Sequence, residues 1–345
     1  PPLWAVVAPL ALLLVIEGAL SLAQALAQST LLGQVLLNWN HNATATSANG
    51  SVVQLPSGAR WLRAYGTFPH PNILGGFLCL AIPVVAGACL RLNRRSASAW
   101  LLLTSLGMGL LALLLSFSRA AWLGIFIAML WAGLLLWKKR RAARRMVVPQ
   151  PDGVGGTRVG GFGGRRPVGA VLTASLLGVG LLIGLVAALG PVLQSRLLLN
   201  PSPLEQRSLS ERDILLEAGA VFFSQHPWLG VGAGNMPLVE LSYSPTRNIG
   251  ESTHNVPVVV AVETGLFGLL LWLIPPIGAL WAAWHRRAAL SAAGLAASAA
   301  LAALLTAAQL DHYLWTAPTG SLIWWLAVAL AALWSEAGSR ATDAA

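Results

Sequence analysis

Runs of apolar residues recur along this 345-residue chain, and short clusters of arginine and lysine separate them. The runs lie near residues 3–27, 69–90, 100–117, 119–137, 168–191, 257–283, 288–310 and 317–335. About 20 residues of helix cross the hydrocarbon core of a bilayer. Inside that core every backbone polar group must find its partner within the spanning structure, which leaves helices and closed barrels. The runs therefore predict an all-α polytopic membrane protein with about eight transmembrane helices. Composition agrees, since only 10% of the residues are charged, where a soluble domain carries about 25%. The first residue is Pro1, and residues 1–27 have neither a basic leader nor a small-residue cleavage site, so further helices are expected upstream.

A formal net charge of +10 would suit a nucleic-acid partner if it were spread over a surface. Here it is confined to Arg91, Arg94 and Arg95, to Lys138 through Arg145 and on to Arg166, and to Arg286 and Arg287. That is the positive-inside pattern, which speaks of orientation, and no nucleic acid is expected. One orientation satisfies every cluster. Segments 91–99, 138–167 and 284–287 and the C-terminal tail are expected in the cytoplasm, and 28–68, 192–256 and 311–316 outside. The organisation expected is a single membrane domain over 1–345. It has a transmembrane core at 69–137 and 168–335, a basic cytoplasmic linker at 138–167 and a long external loop at 192–256. Cys79 and Cys89 would stand about 15 Å apart on one helix, too far for a disulfide.

Against this background three ionisable residues stand out, because charge near membrane depth is costly and persists where it has work to do. Arg119, in SFSRAAWLG, sits between two apolar runs with no hydrophilic loop. It reads either as an interfacial arginine reaching headgroups or as an anion clamp, for which the guanidinium fork suits phosphate. Arg212 lies in ERDILLEAGAVFFSQHPWLGVGAGN. Residues 209–226 read as an amphipathic helix with Ser210 as N-cap and Asp213 completing the start. Arg212 is then expected near a helix N-terminus. A cation there opposes the dipole unless both hold one anion; the plainer reading is a solvated charge paired with Glu211 or Asp213.

His254, in THNVPVVVAVETG, reads either as a hydrogen-bonded interfacial histidine or as a general base. Glu263, two turns into the following run, is expected to face a polar cavity. GVGAGN superficially matches a dinucleotide loop, but no strand precedes it, so a turn permitting close backbone approach is expected. His226, His254 and His312 lack close metal-ligand spacing and no nucleophile elbow is present, so neither a metal nor serine-hydrolase chemistry is expected.

Taken in order, these segments resemble those of the bacterial O-antigen ligase and polymerase superfamily. GTFPHPNILGGFL resembles its Gly-Thr-Phe…Asn-Pro-Asn segment, with Pro69 and His70 where glycine and asparagine are more usual. SFSRAAWLG is similar to its Ser-Arg-Gly-Ala-Trp-Leu-Gly segment, with Ala120 in place of glycine. The Arg212 segment resembles its long external loop. STHNVPVVVAVETGLFGLL resembles its His-Asn…Glu-x-Gly segment, and DHYLW its aspartate-containing tail.

The resemblance covers about residues 64–335 and implies a GT-C-type membrane glycosyltransferase with a large external helical loop. Such proteins usually have about a dozen spans, which again implies missing N-terminal helices. It also implies a place in the bacterial plasma (inner) membrane with the active site on the periplasmic side. There a glycan would pass from an undecaprenyl-diphosphate-linked donor to a glycan or lipid-linked acceptor, among membrane lipids and without nucleotide, metal or other cofactor. Arg119 and Arg212 would hold the diphosphate and stabilise the leaving group, and His254 would take the acceptor's proton. Asn72, Asn255 and Glu263 complete the expected substrate-binding set. The function expected is O-antigen ligase-like, in lipopolysaccharide or other cell-surface polysaccharide assembly, and the motifs do not separate ligase from polymerase. Its alternatives are a polymerase of the same superfamily and, in another class, a flippase or transporter, for which the paired broken helices are missing.

Overall fold

The computed structural model describes residues 3–31, 43–47, 50–55, 57–89, 96–146, 203–243 and 252–340, with Gly190 and Gln194. The basic cluster at 91–95 and, Gly190 apart, the expected span at 168–191 lie outside the described residues, as does the linker from 147 onward. Helix α1 (Leu3–Ala27) precedes a short antiparallel ribbon, β1 (Val52–Gln54) against β2 (Arg60–Leu62), with Val53 opposite Trp61. Then come α2 (Pro71–Cys89), α3 (Ala97–Leu115) and α4 (Arg119–Met146). After the gap follow α5 (Pro203–Gln225), α6 (Met236–Tyr243), α7 (Val256–His285), α8 (Ala292–Ala308), α9 (Tyr313–Thr316) and α10 (Pro318–Arg340). Among the described residues six helices, α1, α2, α3, α4, α7 and α10, are long and apolar enough to cross a membrane, and α8 is a shorter apolar helix. All seven coincide with runs read from the sequence, and the chain is an all-α multi-pass membrane protein.

Helices α2 and α8 form the centre of the bundle. The sequence of α8, AAGLAASAALAALLTAA, is nearly all small residues, and it is buried from Ala293 to Leu304. Small side chains let backbones approach, which is how helices gain packing energy in lipid, where no hydrophobic drive holds them together. Helix α8 packs against α4, α2 and α10. The outer helices instead expose one apolar face, with Leu101 of α3 and Leu271 of α7 among the most open.

At 30 residues, α7 is longer than one span requires. Gly265 breaks it, with φ 67°. Before the break Val259 to Glu263 are buried in protein; after it Phe267, Leu271, Ile274 and Trp281 are exposed. The 20 residues after the break suffice to cross the hydrocarbon. The break is filled by the loop after α5. Val231 N–H donates to Val262 O (2.8 Å), Gly232 N–H to Glu263 O (2.9 Å), and Leu266 N–H to Pro227 O (2.8 Å). A Cβ on Gly265 would lie 2.1 Å from Trp228 O. The expected turn of close backbone approach is present, and what it approaches is α7.

Helix α5 begins earlier than the sequence reading placed it. Its first residue is Pro203, whose fixed φ and missing N–H suit a first helical position. Ser210 is therefore interior and is no N-cap; its hydroxyl donates to Arg207 O at 2.9 Å. Arg212 lies well inside the helix, so the argument that it shares an anion with a helix N-terminus falls. The apolar side of α5 behaves as expected: Leu215 and Ala218 are buried, and Phe222 and Phe223 pack with Met236, Val259 and Val262.

The bundle has two chemically different ends. At one, the C-termini of α4 and α7 meet: Lys139 Nζ donates to Leu290 O at 2.7 Å, and Lys138 and Arg287 both lie over the Trp284 ring. The N-termini of α2, α4, α7 and α10 gather at the other.

Candidate active site

The end opposite the Lys139–Arg287 cluster is organised around the first turn of α2. His70 provides its N-cap: Ile73 N–H donates to His70 O, and Asn72 N–H to His70 Nδ1 at 3.1 Å. That is the bond an asparagine side chain normally accepts at this position. The imidazole can accept it only while Nδ1 is unprotonated. Burial, followed by the neighbouring Arg63 guanidinium, pushes the His70 pKa down to about 3, so the cap is neutral.

From Asn72 a chain of polar contacts runs both ways. Its Oδ1 accepts from Arg63 Nη2, and its Nδ2 donates to Asp311 Oδ2. Arg63 is buried and also donates to Ser116 O (2.8 Å) and Ser51 Oγ (2.9 Å). Asp311 Oδ1 accepts from His312 N–H at 2.8 Å and lies 3.5 Å from His254 Nδ1. Burial opposes ionisation of Asp311, but the His254 hydrogen bond and the nearby His312 and His254 outweigh it and hold the carboxyl below its ordinary pKa. The rings of His254 and His312 are 5.0 Å apart, and His312 Nδ1 meets Thr316 Oγ1 at 2.7 Å.

The expected residues fall around this chain. Arg212 reaches in from α5, its Nη1 3.5 Å from Leu310 O, next to Asp311. Arg119 is the first residue of α4 and is partly buried. The junction before it is held by Ala64 N–H on Leu115 O (2.9 Å) and by Arg63 on Ser116. The Gly75–Gly76 pair, one turn beyond Asn72, lets two elements close on α2: a Cβ on Gly75 would meet Ser118 and Ala121, and one on Gly76 the Tyr313 ring. Arg119, Asn72 and Asp311 are thus carried by elements that meet at one turn of helix.

Two expected ligand-binding residues have their side chains engaged by protein. Asn255 caps α7, accepting from Val258 N–H at 3.1 Å, and donates to Gln309 O at 3.2 Å. Glu263 is buried; it accepts from Met236 N–H (3.3 Å) and Trp315 Nε1–H (2.8 Å), tying the loop after α5 to α9.

Sequence reasoning did not single out Arg63, His70 or Asp311 as site residues. Nor did it single out Glu17 and Gln24, one helical face of α1 that grips the loop before α2. Gln24 Oε1 accepts from Tyr65 and Gly66 N–H, both at 2.9 Å, and Glu17 Oε2 accepts from Thr67 N–H at 2.9 Å. Two buried polar residues inside an apolar run are the signal that was available.

Donor atoms of His254, Asp311 and His312 lie within 4.8 Å of one another, close enough to share a cation. Both Asp311 oxygens already accept protein N–H groups, and His312 Nδ1 is engaged by Thr316. His226, the third histidine considered from sequence, is exposed just beyond α5, fourteen residues past Arg212 and so about 21 Å along the helix.

The family model described as O-antigen ligase matches residues 103–273, a stretch that includes Arg119, Arg212, His254 and Glu263. No curated protein matches the chain.

Proposed function

We propose, from its match to the O-antigen ligase family model, that the chain transfers a glycan from an undecaprenyl-diphosphate carrier to a glycan or lipid-linked acceptor on the outer face of the bacterial plasma membrane. The observation that carries this reading is the meeting of an arginine from α5 and the His254–Asp311 pair at the bundle end opposite the basic clusters. An amphiphilic anionic donor and a proton-accepting group need that combination.

In the proposed reaction the acceptor hydroxyl attacks the anomeric carbon of the donor sugar. The bond from that carbon to the diphosphate oxygen breaks, and the diphosphate leaves on its carrier. Asp311, fixed by Asn72 and His312, stays ionised and faces Nδ1–H of His254, which leaves Nε2 of His254 free to receive the acceptor's proton. Arg119 and Arg212 hold the diphosphate and offset the charge that builds on it, which is the largest electrostatic demand of the step. The diphosphate is itself a good leaving group, so the scheme uses no nucleotide and no metal. Arg63 and Asn72 position Asp311; Asn255 caps the helix that follows His254, and Glu263 holds the segment after α5.

Deletion of the gene followed by analysis of carrier-linked and surface glycan tests the reading. A ligase deletion leaves long chains on the carrier, and this is the expected result. Single repeats on the carrier would reassign the chain to polymerisation, and glycan retained inside the cell would reassign it to transport.

A further inference from the structure

We propose that the basic end of the bundle holds a site for the phosphate of an anionic phospholipid, between α4 and the start of α8. A cavity of about 130 Å³ opens there, walled by Leu135, Leu136, Leu290 and Leu295 and reached by Lys139 and Arg287. Its volume is that of about four waters, which suits one phosphate group and not a whole lipid. Lys139 uses one N–H on Leu290 O (2.7 Å), leaving two of its three donors. Arg287 gives one N–H to Trp284 O (2.7 Å), with its guanidinium 5.1 Å from the Trp284 ring centroid, and its remaining N–H groups stay available. Among the described residues no carboxylate pairs with either cation. Ala292, the first residue of α8, also lines the cavity, and the Ser291 cap satisfies Gly294 N–H. The cavity thus adjoins the start of α8, the positive end of its helix dipole.

The surroundings select a lipid over a free anion. Beside the cavity Leu134 and Trp137 are exposed on α4, as residues of a lipid-facing surface are. Trp131, Trp137, Trp281 and Trp284 collect at this end. Tryptophans gather at headgroup level, and basic pockets between helices at the cytoplasmic side suit anionic headgroups. Acyl chains would continue along the apolar face of α4, to which a free phosphate gains nothing.

The test is native mass spectrometry of the full chain in detergent, titrated with phosphatidylglycerol, phosphatidylcholine or inorganic phosphate. The wild type should retain one phosphatidylglycerol in preference to phosphatidylcholine. The Lys139→Gln/Arg287→Gln variant should bind it about thirtyfold more weakly, for two lost charges near the headgroup layer. Arg60→Gln, at the opposite end, should bind as wild type. Leu136→Trp, which fills the cavity and keeps both cations, should also lose the adduct; it decides the matter if the double variant does not fold. Equal retention of the two lipids, an undiminished adduct in the Lys139→Gln/Arg287→Gln and Leu136→Trp variants, or displacement by equimolar inorganic phosphate would overturn the proposal.

Discussion

His70 stands where the motif it resembles usually has asparagine, and the structure gives the physical reason the exchange works: Nδ1 accepts the Asn72 N–H as an asparagine oxygen would. The cost is a titratable cap. Its pKa is about 3 in the fold against an ordinary 6.5. Between those values the unfolded chain holds a proton that the folded chain lacks, so stability falls on acidification through this window. His70→Asn keeps a capping acceptor that does not titrate, and its thermal midpoint in detergent should fall less steeply than wild type between pH 6.5 and pH 4; equal slopes would remove the assignment. For the proposed chemistry, His254→Ala should lower turnover on the order of 10²–10⁴-fold while donor binding persists. Arg212→Lys keeps the charge but loses the bidentate fork, so donor binding and turnover should both fall, and further in Arg212→Ala. Full turnover in His254→Ala would strike out the base. The clustering of His254, Asp311 and His312 gives the chelator experiment its point: activity should survive EDTA, and loss with rescue by one divalent ion would recast the three as metal ligands. Arg119, Arg212 and His254 stood out as candidates because charge is conspicuous beside apolar runs. Arg63 and Asp311 were not, because what marks them is a hydrogen-bonded chain joining Asn72 to a residue 239 positions away, and spacing in sequence carries no trace of it.

At the scale of elements, the interlock of the post-α5 loop with α7 is the feature most open to test. Gly265 has φ 67° and no room for a Cβ beside Trp228 O. Gly265→Ala therefore meets both backbone strain, about 1–3 kcal/mol for the conformation alone, and a clash with a backbone that carries three inter-element hydrogen bonds. The expected outcome is a lower thermal midpoint and faster proteolysis within 226–235, whereas Gly278→Ala, in open space on the same helix, should be neutral. Equal behaviour of the two variants would mean the loop is not held by α7. The existence of the spans was readable because a long apolar run has few other fates in a membrane protein. Their ends were less so. The reading ran α7 as one span, since a glycine inside an apolar run looks like any small residue until a second backbone is seen against it. The start of α5 was misplaced for a related reason: Ser210 had the chemistry of a cap, but helix continued upstream through LEQRS to Pro203, and capping chemistry in an interior serine turns back onto its own helix.

For the whole molecule, the separation of basic and polar ends bears on orientation. Lys138, Lys139, Arg286 and Arg287 are far apart in sequence yet share one end, with Trp284 between two of them. His254, Asp311, Asn72 and Arg63 occupy the other. If the positive-inside pattern sets orientation, the end that carries the proposed site faces outward and every span between must cross in turn, including the one expected at 168–191. Cysteine labelling in intact cells tests this with probes chosen for exposure. Leu238 is 65% exposed on α6, whereas Glu240, two residues on, is fully buried and would report nothing. Cys79 is buried, but Cys89 is only partly so, and it should be changed to serine first. In that background Leu238→Cys should react with an impermeant maleimide from outside, and Arg286→Cys only after the cells are opened. The reverse pattern would place the site in the cytoplasm, away from a glycan presented on the outer face, and the proposed transfer would fall with it. Labelling of both from outside would instead break the seven described helices' alternation and remove the basis for a single catalytic end.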